Sequence, residues 1–151
     1  MIGGKGDPNS EITSELVDSD QAMPGPALPW KFSSHCVTKM NTTHSVIMGG
    51  KDYPKQSLIV QTPILPQVDF DFTTGPNLIG DGRYDHACAH IMHNNGSNYV
   101  IAAGGFDDNV NFLDTSEILK KADDGSIEWS LGKETNKFHL SLLDNFKDTN
   151  S

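Results

Sequence analysis

The chain has 151 residues, room for one ordinary domain and hardly two. Leu, Ile, Val and Phe supply 35 of them, about 23 per cent, above the level below which a chain stays disordered. Twenty acidic residues against eleven basic ones give a net charge of −9. No Lys or Arg cluster marks a nucleic-acid groove, and the longest strongly apolar run, Tyr99–Ala103, is far too short to span a membrane.

Read along the chain, three double glycines recur, each after an apolar residue: Ile2-Gly3-Gly4, Val46-Ile47-Met48-Gly49-Gly50 and Val100-Ile101-Ala102-Ala103-Gly104-Gly105. A strand-like run follows each: Ser14–Val17, Ser57–Val60 and Ser116–Leu119. A turn comes next, Gly25-Pro26 and then Gly75-Pro76, with Trp129–Gly132 in its place in the third copy. After each Gly-Pro stands a histidine close to a cysteine, His35-Cys36 and then His86-Ala87-Cys88. The two Gly-Pro turns are 50 residues apart and the two histidines 51, so two independent landmarks agree within one residue. The repeated unit reads as four short strands. The first follows the histidine, over 35–40 and 86–92, and an Asn-rich turn closes it. The second, over 44–48 and 98–103, ends on the double glycine, where positive φ allows a sharp turn. The third is the Ser-led run. The fourth is Val68–Phe72, whose apolar residues alternate with Asp69 and Asp71, and then Ile127–Trp129. The expectation is an all-β chain of four-stranded antiparallel sheets, each stacked on copies of itself.

At these residues the chain resembles the kelch repeat, a pattern of an apolar run ending in Gly-Gly, an apolar third strand and a spaced Trp. The stretch from Gly75 to Gly132 matches best, with Arg83-x-x-His86, Tyr99–Gly105, Ser116–Leu119 and Trp129. In the copy from Gly25 to Phe72, Lys31 stands where the arginine falls, and Phe70 or Phe72 stands for the tryptophan. The resemblance divides the chain into a partial repeat 1–24, repeats 25–74 and 75–132, and a non-repeat tail 133–151. In that tail Phe138, Leu140, Leu142, Leu143 and Phe146 fall close to helical spacing. It implies kelch-type β-propeller blades, one per repeat, in an incomplete ring. It also implies a non-enzymatic protein-interaction module, a fragment of a longer propeller protein whose open faces need further blades or self-association. The loops gathered at one end of such blades would bind a protein or a basic or polar peptide through Trp30, Tyr53, Tyr84, Phe106, Asp107 and Asp108, the alternative for the four aromatics being that they pack between blades. No nucleic acid, membrane, cofactor or metal is expected. The alternative is an extracellular kelch-type protein of galactose-oxidase-like descent. That chemistry needs a cross-linked Tyr–Cys pair, a second Tyr and two His, a set that cannot be assigned here.

Several residues have plainer readings. His35 and His86 occupy one place in two copies and read as structural. His86, His90 and His93 lie on one hairpin edge without a carboxylate or Cys partner, a poor zinc site. Asp123-Asp124-Gly125 reads as a polar turn. Asn41-Thr42-Thr43 and Asn95-Gly96-Ser97 are glycosylation acceptors if the chain is secreted, but turn chemistry already explains each Asn. No phosphate-binding glycine loop, Gly-x-Ser-x-Gly or His-Glu-x-x-His occurs. No signal peptide is readable at the first residues, and the two cysteines fit a reducing compartment, which slightly favours the cytoplasm. They are expected in matching strands of adjacent sheets about 10 Å apart, beyond disulfide reach.

Overall fold

From residue 27 to 132, short runs of β-branched and aromatic residues between Gly, Asn and Asp turns favour strands over a long helix. The computed structural model describes residues 15–18, 21–24, 27–61, 72–92, 96–121 and 126–132, and among them there is no helix. Strands β1 (Glu15–Asp18) and β2 (Gln21–Pro24) pair antiparallel. A four-stranded sheet follows: β3 (Cys36–Lys39), β4 (His44–Met48), β5 (Ser57–Gln61) and β6 (Phe72–Thr74), in sequence order. A second meander holds β7 (Ala87–Met92), β8 (Asn98–Ala103), β9 (Ser116–Lys121) and β10 (Ile127–Leu131). The first double glycine, the turns at Gly25-Pro26 and Asp123–Gly125, Val68–Asp71 of the expected fourth strand, His93, Asn95 and the tail 133–151 lie outside the described residues.

The two sheets are built on one plan. Met48 pairs with Ser57 and Ala103 with Ser116, so Gly49 and Gly104 each follow a second strand at the same register. Both glycine pairs have positive φ. A Cβ on Gly50 would come within 2.8 Å of the Ser33 carbonyl oxygen, and one on Gly105 would meet the Tyr84 carbonyl. The backbone passes too close there for any side chain. Ser34 and Asp85, the residues before His35 and His86, share a positive φ of 54° and 49°. Val60 pairs with Phe72 as Leu119 pairs with Trp129, which makes Phe72, not Phe70, the counterpart of the tryptophan. The amides of Gly75 and Gly132 then bond the carbonyls of Ser57 and Ser116. Since Ser33 and Tyr84 occupy the same place, Phe32 rather than Lys31 is the counterpart of Arg83.

Packing between the sheets follows from parity. In the first sheet Cys36, Val46 and Met48 share one face. In the second, Cys88, Val100, Ala102, Leu119 and Trp129 share one face. These faces, with Leu78 from the connecting segment, close on a single core. The opposite face of the first sheet carries its own cluster of Leu28, Phe32, Ile47, Leu58 and Val60.

The two cysteines are bonded to each other. Cys36 and Cys88 form a disulfide with Cα atoms 6.0 Å apart, which overturns the expectation of separate thiols. The expected 10 Å spacing describes sheets stacked flat. Here the first strands β3 and β7 lie in contact, well inside that spacing. The register also explains the one-residue offset between the cysteines. The counterpart of Cys36 is Ala87, since Cys36 pairs with Met48 and Ala87 with Ala103. Two like-oriented sheets meet front to back, so residues that touch must have opposite parity. Shifting the second cysteine by one residue turns its sulfur toward the first.

Inside the second sheet a charged pair is buried where the first sheet is apolar. Arg83 and Glu117 are joined at 2.8 Å, and each side chain is 2% exposed. Glu117 also accepts from the Ile79 amide, and Arg83 donates to the carbonyls of Gly104 and Thr115. Their counterparts in the first sheet are Phe32 and Leu58, members of one buried cluster.

Two outcomes are expected. Arg83→Leu strands a buried carboxylate and costs about 3–5 kcal/mol. The double change Arg83→Phe with Glu117→Leu copies the first sheet and costs less than either single change, as urea unfolding of the four proteins would show. Reducing the disulfide frees a cross-link between residues 52 apart in sequence. It lowers stability by up to about 4 kcal/mol on a chain-entropy account, read as a drop in melting temperature absent from a Cys36→Ala, Cys88→Ala protein.

Candidate binding face

Four connecting segments, 27–35, 49–56, 75–86 and 104–115, are laced together at one end of the sheets by backbone hydrogen bonds. The Lys51 amide bonds the Ser33 carbonyl, Gly50 bonds Arg83, Arg83 bonds Pro54, Leu78 bonds Lys55 and Asp85 bonds Ser34. Tyr84 and Phe106 exchange a reciprocal pair at 3.0 and 2.9 Å. Loops are here held on a rigid frame, the usual setting of binding residues.

The expected anchors differ in availability. Trp30 is half-buried, lies against the Leu28–Phe32 cluster and sits 6.2 Å from the Tyr53 ring. Its indole nitrogen is buried and has no hydrogen-bond partner among the described residues. Tyr53 is exposed. Tyr84 and Phe106 are half-buried and stack on each other at 5.6 Å. Asp108 is exposed, whereas Asp107 is buried.

Asp107 organises its own loop. One carboxylate oxygen accepts from the Asn109 and Asn111 amides, the other from the Asn111 side chain. The Asn111 bonds, side chain first, hold this carboxyl below its ordinary range. The residues that this loop pushes outward were not among the expected anchors: Val110, at φ 64°, and Phe112, 84% exposed and 4.5 Å from Phe106. A β-branched residue at positive φ is an unusual backbone state, held there by its surroundings. Their signal in the sequence was length. Ten residues lie between Gly105 and Ser116, against six between Gly50 and Ser57.

Charge at this end is net acidic. The four segments carry Asp52, Asp81, Asp85, Asp107, Asp108 and Asp114 against Lys31, Lys51, Lys55 and Arg83, and Arg83 is neutralised internally by Glu117. At the opposite, hairpin end a groove of about 700 Å³ lies between the sheets, with Met40, Asn41, His44, Ile59, Leu119 and Lys121 in its wall and no carboxylate among the described residues. His90 lies outside it, bonded to Asn98 at 2.8 Å. Among the described residues, no three His, Cys, Asp or Glu side chains converge as metal ligands would.

His86 lies beneath the loop end. It is buried, and its ring lies close against Gly49. Neither ring nitrogen has a partner among the described residues. Burial, then the charges of Arg83 and His35, lower its pKa to about 4, with Asp85 opposing.

No family model matches the chain, and no curated protein matches it.

The state of His86 sets a pH dependence. In the unfolded chain this histidine takes its proton near 6.5, in the folded one near 4. Between those values the unfolded state holds more protons. Its contribution is therefore whole above pH 6.5 and is lost as pH falls toward 4, by roughly 3 kcal/mol. His86→Leu forgoes no hydrogen bond. It is expected to flatten that part of the stability curve, measured by denaturant unfolding at steps across the interval.

Proposed function

We propose that the chain is a non-enzymatic protein-interaction module made of kelch-type β-propeller blades, with the laced loop end as its binding face. The observation that carries this reading is the pairing of exposed Phe112, Val110 and Tyr53 with a surplus of carboxylates on a rigid frame. Aromatic anchors give binding energy when they enter a partner's pocket, and net charge selects the partner and speeds its approach. The partner is a protein or peptide segment that sets Lys or Arg beside apolar residues. The far face of the second sheet supports the need for more blades or for self-association. Ala87, Ala89 and Ile91 are exposed there, whereas the equivalent face of the first sheet is covered by the second.

The disulfide favours a second reading, an extracellular kelch-type protein, because such bonds persist in oxidising compartments. It speaks against the oxidase's Tyr–Cys chemistry in this chain. Both cysteines are spent on each other, and none is left to cross-link a tyrosine.

Immobilised peptides that alternate Arg with Leu or Phe, beside acidic versions of the same design, test the binding face. The basic set should bind, weaken as salt rises, and lose at least tenfold in affinity with Phe112→Ser, a loss of about 1.4 kcal/mol or more. Equal binding of both sets, or binding indifferent to Phe112→Ser and Asp108→Lys, would reject the reading.

A further inference from the structure

We propose that Asn41 is a site of N-linked glycosylation. Three observations meet on this residue. First, Asn41-Thr42-Thr43 is an acceptor sequence, and such sequences are modified in surface loops of secreted proteins. Second, the fold leaves free the atom that would carry the sugar. Asn41 lies in the turn between β3 and β4, where its side-chain oxygen accepts from the Thr43 amide, the Thr43 hydroxyl and the His44 amide at 2.8, 3.0 and 2.8 Å. Its amide nitrogen donates to no described residue and is not among the buried unpaired atoms, and Asn41 itself is half-buried in the wall of the open hairpin-end groove. Thr42 and Thr43 beside it are exposed. N-linkage replaces one hydrogen on that nitrogen and keeps the carbonyl, so the turn's hydrogen bonds survive the modification.

Third, the disulfide supplies what the motif alone lacks. An acceptor sequence is used only in a chain that enters the secretory route. Cys36–Cys88 joins the two sheets across their core, and a structural bond of that kind is a property of chains folded in an oxidising compartment. The motif and the disulfide are independent features of the sequence and point to one compartment. A second acceptor sequence, Asn95-Gly96-Ser97, falls in the sequence between β7 and β8. A bulky hydrophilic group at the hairpin end leaves the loop end open, so the glycan and the proposed partner do not compete for surface.

This inference rests on the extracellular reading, and the test separates the two. The whole chain is expressed in a eukaryotic cell behind a cleavable secretory leader. It is recovered from medium or from microsomes, so that slow export does not hide the result. Peptides are mapped by mass spectrometry without reduction. The expected result is a linked Cys36–Cys88 peptide and a glycan on Asn41 that peptide N-glycosidase removes, leaving aspartate at that position. Thr43→Val abolishes the glycan, and Thr43→Ser, which keeps the hydroxyl, retains it. A disulfide-bonded chain whose Asn41 stays an unmodified amide overturns the site and leaves the compartment standing. In the chain isolated from the cells that make it, cysteines open to alkylation overturn the compartment and the site with it. Loss of peptide binding at the loop end bears on neither.

Discussion

Everything in the arrangement of the two sheets depends on their meeting front to back. A strand sends alternate side chains to opposite faces. Two sheets of one plan, stacked in the same sense, therefore present different residues of the repeat to their common core. Val46 and Met48 look forward from the first sheet, and Val100 and Ala102 look back from the second. Each repeat must carry two apolar sets, one per face, which is why β4 is buried on both sides through Val46, Ile47 and Met48. It is also why a pair of cysteines that crosses the gap cannot occupy equivalent positions. Equivalent residues point the same way and never face each other.

The same constraint shows where the repeats are free to differ. One place in the unit is filled by Phe32 and Leu58 in the first sheet and by Arg83 and Glu117 in the second. The apolar pair takes its stability from burial. The charged pair must offset the desolvation of two ions, and does so by leaving no polar atom idle: Glu117 takes Arg83 and the Ile79 amide, and Arg83 also holds two carbonyls. Those extra bonds tie the segment before β7 to the turn after the double glycine. The charged version thus adds order to the loops rather than net stability. It sits under the longer of the two loops between second and third strands, which carries Val110 and Phe112.

Much of this was legible in the chain. The double glycines announced turns because only glycine tolerates the positive φ and close backbone approach found at Gly50 and Gly105. The period of the unit followed from landmarks that each have a backbone role. Side-chain roles were harder to read. The cysteines were assigned by repeat equivalence, and that argument places equivalent residues a full sheet spacing apart. It missed that β3 and β7 converge and that an odd offset reverses a side chain. The counterpart of Arg83 was missed by one residue for a related reason. Lys31 matched its charge, whereas the place is defined by the carbonyl of the next residue and has been filled by Phe32. Asp107 read as a binding acid because sequence shows charge and not its hydrogen-bond partners, all of which are local. Phe112 read as nothing, because an aromatic in an irregular segment carries no periodicity to give its direction.

The two ends of the sheets consequently carry different chemistry. At the loop end, backbone bonds run between segments from both sheets, so the aromatic and acidic side chains there are displayed on a surface that cannot rearrange cheaply. The hairpin end is joined differently. The turn between β3 and β4 closes on its own strand pair through Asn41, beside the groove that lies between the sheets. A turn that satisfies itself contributes nothing to its neighbour and can bear a large substituent without disturbing the core. A laced loop cannot, since Gly50, Arg83, Tyr84 and Phe106 each support the next. The division follows from the meander itself. The fourth-to-first connection must cross between sheets, and it leaves from the same end as the second-to-third connections, while the first-to-second connection leaves from the other end and stays within its sheet.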